Sequence, residues 1–136
     1  MTTAQFSSLR PPPGKDPFVD FAAGVLNNLF NARKRLSRVA GTEAAERSLD
    51  LIEEAFSAVP VGAAGKCVAF IMHDPTGEPY APTRADLQAS LAGESSEKMR
   101  VCETMKPIIS LRTTIDGMAT SIIVQQGVVV VRGAQQ

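Results

Sequence analysis

One histidine, His73, stands beside Asp74 at the end of the apolar run Cys67-Val68-Ala69-Phe70-Ile71-Met72. That order lets a carboxylate orient an imidazole as a general base. A base needs a group to deprotonate, and no nucleophile accompanies it in sequence, so a strand-end histidine with a satisfied hydrogen bond is the plainer reading. Cys67 and Cys102 sit in no electropositive context that would lower a thiol pKa, and they read as two reduced, mostly buried thiols. One histidine and two distant cysteines do not supply three or four metal ligands at recognisable spacing. The glycines are scattered singly and make no phosphate-cradling loop. No catalytic, cofactor-binding or metal-binding residue is assigned, and the chain is expected not to be an enzyme.

The cations offer a different chemistry. Arg33, Lys34, Arg35 and Arg38 form the strongest local charge asymmetry. A solvated helix end, whose cations suit the negative end of the dipole, accounts for them. The alternative is contact with nucleic-acid phosphates, which positions a backbone without reading its bases. Arg112 and Asp116 are four residues apart, so on a helix they share a face and can pair. At the surface such a pair is worth about 0.5 kcal/mol; at a subunit boundary it would hold an arginine fork in place for a phosphate.

The elements that must position these groups belong to one domain, because 136 residues bury a real core but are too few for two. With 44% apolar and 21% charged residues the chain is globular rather than disordered. Fourteen basic and fourteen acidic side chains cancel. That balance argues against a general nucleic-acid coating protein, leaves room for a local groove, and permits close self-association. No run approaches the roughly 20 apolar residues that span a bilayer, and MTTAQFSSLRPPPGK lacks a signal-peptide layout. A soluble intracellular protein with no membrane role is expected.

Residues 1–15, with Arg10-Pro11-Pro12-Pro13-Gly14, read as an extended arm. Asp16 caps a first helix with Pro17 at its first position. Apolar residues at 18, 21, 25, 29, 32, 36 and 39 give it one face, and it should end near Gly41. Thr42 caps a second helix with the stripe Ala45, Leu49, Ile52, Phe56 and Val59, stopped by Pro60. The two should pack as an antiparallel hairpin. Cys67 to Met72 is a buried strand, residues 74–82 a loop, and Thr83 the cap of a short helix ending at Gly93.

Two readings then compete. Val101, Met105, Ile108, Leu111, Ile115, Met118 and Ile122 recur three and four apart as a helical seam. The same region is rich in β-branched residues, and 107–114, 118–124 and 128–132 would form a meander with turns at Asp116-Gly117 and Gln126-Gly127. Seven consecutive matches outweigh propensity, so most of 96–125 is expected to be helical. The run Val128 to Val131 is extended in either case, an edge that needs a neighbour to cover it.

The order Gln5-Phe6, Asp16-Pro17, Leu26-Asn27-Asn28-Leu29-Phe30, Phe56-Ser57-Ala58-Val59-Pro60, the short strand, Leu87 to Gly93, then Arg112, Asp116, Ile122-Ile123-Val124 and Val131-Arg132-Gly133 resembles the tobacco mosaic virus type of rod-shaped plant virus coat protein. The resemblance implies a mainly α fold, an antiparallel four-helix bundle with a small β element at one end. The arm would span 1–15, the bundle core 16–127 and an extended tail 128–136. It further implies a capsid subunit that assembles with copies of itself into discs or a helical polymer around single-stranded RNA, in the virion and the host cytoplasm, with no cofactor. Arg112, Asp116, Arg33, Lys34, Arg35, Arg38, Lys98 and Arg100 are the RNA contacts it implies. The chain departs from the family in lacking tryptophan and in placing Leu111 where a second arginine would stand beside Arg112. The rival expectation is a small α+β dimeric binding or adaptor module with no nucleic-acid role.

Overall fold

The computed structural model describes residues 16–60, 67–115 and 117–134; the expected N-terminal arm lies outside them. In chain order the elements are α1 (Pro17–Leu36), α2 (Glu43–Phe56), β1 (Val59–Pro60), β2 (Cys67–His73), β3 (Leu87–Ala92), β4 (Arg100–Lys106), β5 (Ile108–Ile115), β6 (Met118–Gln125) and β7 (Gly127–Arg132). Two sheets result, one ordered β1-β2-β5-β6 and the other β3-β7-β4. The four-helix bundle is therefore overturned: this is an α+β fold with two helices and seven strands among the described residues.

Both sheets are built on one long antiparallel ribbon. Its arms are β4 continued by β5, and β6 continued by β7. Pairing runs from Arg100 opposite Arg132 up to Ile115 opposite Met118. Gly117, at φ +78°, makes the tight turn at the tip, a conformation that costs other L-residues energy. Midway, Pro107 and Gly127 mark the level at which both arms leave one sheet for the other. β2 pairs antiparallel with β5 above that level, and β3 pairs parallel with β7 below it.

Each sheet has its own core. Ile109, Phe70, Ala22 and Leu26 form the cluster under α1, whereas Ile108 joins Leu87, Val101, Val129 and Val131 in the other. Consecutive isoleucines thus enter different cores, as strand alternation requires. Asn27 of α1 and Gln125 of β6 exchange amide hydrogen bonds of 2.8 Å each way, and Gln125 also donates to the Pro107 carbonyl. The helix is pinned to the ribbon at its bend.

The helical seam expected through 101–122 does not exist. Its members separate on burial: Val101 and Ile108 are core, while Met105, Met118 and Ile122 are 50, 74 and 56% exposed. β-Branched propensity, backed by cross-strand pairing, prevails over an accidental spacing. The short helix expected after Thr83 is likewise replaced by β3. Val128 to Val131 is no exposed edge, since β7 lies between β3 and β4 with Val129 and Val131 each 1% exposed.

Asp16 caps α1 as expected, its carboxylate accepting from the Phe18 and Val19 amides at 2.8 and 3.2 Å. The buried face is Ala22, Leu26, Leu29 and Phe30, turned from the expected one, so Phe18 and Phe21 are exposed. The helix ends at Leu36 rather than near Gly41. Thr42 makes no side-chain cap for α2; its hydroxyl donates to Leu36 and Val39 carbonyls instead.

A methyl group at Gly127 would meet Ile108 Cγ1 and Leu87 Cδ2, both at 2.9 Å. Gly127→Ala is expected to destabilise the fold by about 1–3 kcal/mol through overpacking, read as a lower urea midpoint at unchanged slope. Parental stability in this variant would mean that the bend is looser than described.

Candidate functional site

The eight expected RNA contacts do not converge. Successive helix positions point about 100° apart, and the cluster at the end of α1 is dispersed accordingly. Arg33 turns to α2, pairing with Asp50 at 2.7 Å and with Glu53. Burial pulls its pKa down, but the hydrogen bonds and charges of Glu53 and Asp50 more than offset this and raise it. Lys34 lies over the Phe30 ring, 5.3 Å from its centroid, and donates to the Thr104 carbonyl at 2.8 Å. Arg35 and Arg38 are exposed. The first two cations thus tie α1 to α2 and to β4, and are spent on the fold.

Arg112 is exposed on β5 between Ala69 and Ser121, on the face opposite Leu111, which packs toward α1. Asp116 lies outside the described residues, and a strand does not provide the helical i, i+4 geometry on which their pairing was expected. Lys98 and Arg100 stand together at the start of β4. Opposite Arg100 is Arg132, which the sequence reading did not count as a contact because it expected no ladder there.

His73 is part of a structural chain of polar contacts. Its Nε2 contacts Glu78, and Arg84 bridges Glu78 at 3.2 Å and Asp86, through Nε and Nη2, at 3.0 and 2.8 Å. The Arg84 hydrogen bond lowers the Asp86 pKa, and the same bond raises that of Arg84. Burial pushes the Asp74 carboxyl up, but hydrogen bonds from the Thr76 and Thr104 side chains and the Thr76 amide, with the Lys34 charge, pull it below its usual value. The network holds the loop so that its backbone pairs with the outer edge of β4: Gly77 N donates to Val101 O, Val101 N to Glu78 O, and Tyr80 N to Met99 O, at 2.8–2.9 Å. Both cysteines are free and exposed rather than buried. Among the described residues no three His, Cys, Asp or Glu side chains group as metal ligands, and no helix is long and apolar enough to cross a membrane.

Covering β4 leaves an uneven set of sheet edges. β1 is two residues long and contains Pro60, which blunts it. β3 and β6 have a described neighbour on one side only. β6 is the longer, and its sequence MATSIIVQ carries no charge. It exposes Met118 to Ile123 without a break, Ile122 and Ile123 being 56 and 47% exposed. Sequence reasoning missed this edge because it placed 118–125 in a helix. The signal was the run Thr120-Ser121-Ile122-Ile123-Val124, whose residue types suit a strand.

No family model, curated protein or solved structure matches the chain.

Asp74 and Asp86, with folded-state pKa values below the unfolded value of about 3.9, contribute stability above that pH and lose it as pH falls through their folded values. Asp74→Asn with Asp86→Asn is expected to flatten the acid limb of the urea midpoint against pH and to lower stability at neutral pH. An acid limb as steep as the parent's would show that other groups set it.

Proposed function

We propose that the protein is a non-enzymatic, self-associating α+β module that pairs with a second copy of itself along β6. The observation that carries this reading is the long, uncharged and exposed edge of β6. An edge of this kind presents unpaired backbone donors and acceptors to any strand that fits, and soluble proteins ordinarily blunt it with charge, proline or a covering loop. The fold applies such devices at β1 and β4 and leaves two uncharged edges, β3 and the longer β6.

A second copy fits the edge well. Antiparallel pairing about Ile122 sets that residue against itself, Thr120 against Val124 and Ser121 against Ile123. Such β-branched and hydroxyl pairs contribute roughly 0.2–1 kcal/mol each. A formal net charge of zero adds no long-range repulsion between copies. The two four-stranded sheets then join into one continuous sheet. The reading keeps the expectation of association between like subunits but rests it on β6 rather than on the four valines of β7.

Sedimentation equilibrium over a range of concentrations tests it. The parent is expected to show a reversible dimer, and Ile122→Lys with Ile123→Lys to remain monomeric with a parental circular dichroism spectrum, since both side chains are already exposed. A parent that stays monomeric at high concentration, or a double variant that dimerises as the parent does, overturns the reading.

A further inference from the structure

Below the bend, at the end of the three-stranded sheet away from β6, two arginines face each other. Arg100 and Arg132 are register partners in the β4–β7 ladder. Their neighbours Val101 and Val131 are buried, so alternation places both arginines on the outward face. Like charges directly opposite on a sheet destabilise it, yet this pair has no carboxylate partner: among the described residues neither arginine, nor Lys98 beside them, forms an ion pair, whereas Arg33 and Arg84 each hold two carboxylates. Glu103, the carboxylate of β4, stands opposite Val130.

The three cations line a cleft of about 460 Å³ with Cys102, Gly133 and Ala134, and none of these lining residues is acidic. Its walls are fixed. Arg100 Nη1 donates to the Gly77 carbonyl at 3.0 Å, which steadies the guanidinium and leaves its other N–H groups free. Ala134 N donates to the Glu97 carbonyl at 2.7 Å, and Gly133 lies so close to the Ser95 backbone that a Cβ there would overlap it. Lys98 holds a φ of +48°, a backbone region that costs a lysine energy.

We propose that this cleft is a binding site for a phosphate group. A phosphate carries up to two charges and several acceptor oxygens, so one group can accept from both arginine forks and neutralise their repulsion together. Arg100, already held by the Gly77 carbonyl, loses little entropy on binding it. The same chemistry is offered by a free phosphate and by the backbone of a single-stranded nucleic acid. The site is separate from β6 and does not depend on pairing there.

The test uses the full chain and the thiol that lines the cleft. Alkylation of Cys102 by neutral N-ethylmaleimide is followed at constant ionic strength while inorganic phosphate replaces chloride, with Cys67 as internal control, and again with a short single-stranded RNA oligonucleotide. Protection of Cys102 and not Cys67 is expected. Arg132→Gln and Arg100→Gln are expected to weaken it about tenfold or more, while Arg112→Gln, outside the cleft, leaves it unchanged. Arg132→Gln, which removes one of two opposed charges and no side-chain hydrogen bond among the described residues, should also leave the ligand-free fold at least as stable as the parent, which separates lost binding from lost structure. Protection by phosphate assigns the site to a free phosphate; protection by RNA alone, with the same variant dependence, assigns it to a polymer backbone. The proposal is overturned if neither probe protects Cys102, if Cys67 is protected equally, or if the Arg132→Gln protein is protected as the parent is.

Discussion

A pair of strands that leaves one sheet for another has to turn both backbones at the same level, and here Pro107 makes that turn on one strand and Gly127 on the other. Pro107 is fully buried and lacks an N–H, so it asks for no ladder partner at the point where the ladder changes direction. Gly127 has no Cβ and admits Ile108 and Leu87 against its backbone. Register shifts at Val101/Glu103, Thr104/Lys106 and Ile109/Ser110 surround the bend and supply the local twist that bulges bring. The placement of α1 follows from the same point, because the Asn27–Gln125 amide pair and the Pro107 carbonyl meet there.

Charge is distributed according to what that frame leaves open. Among the cations, Arg33 and Lys34 are consumed in holding α1 to α2 and to β4, and Arg84 in closing the loop over β4. Those at the base of the ribbon are not. Two surfaces of opposite character remain, an uncharged strand edge above the bend and a carboxylate-free cationic cleft below it. Each is defined by the partners its groups do not have among the described residues.

The sequence made the local signals legible and left the long-range ones hidden. Asp16-Pro17 announced the start of α1, Pro60 lay close after the end of α2, and the apolar run after residue 66 announced β2, because caps, breakers and short apolar runs act within a few residues of themselves. The region after residue 96 was misread because three-and-four spacing and β-branched composition gave opposite answers there, and only pairing partners far along the chain decide between them. The rejected meander came near the truth at Asp116-Gly117. It failed at Gln126-Gly127, which is no hairpin turn but a corner between sheets. The cationic cleft was half visible in Lys98 and Arg100; Arg132 joins them through a ladder that a helical reading does not contain. The resemblance to coat proteins rested on the order of segments, and order alone carries no information about which segments pair.

The ribbon also sets how far apart along the chain its contacts must reach. At the tip, Ile115 meets Met118 across a two-residue loop, and every further rung down to Arg100 and Arg132 follows from the one above it, so each adds little new loop-closure entropy. β3 is different: Leu87 must find Gly127 with the whole ribbon between them, in a parallel pairing that no tight turn can template. The chain thus combines one self-zipping unit with three further strands and a helical pair that dock on its surface. In such an architecture search time is concentrated in a few distant closures rather than spread over the molecule.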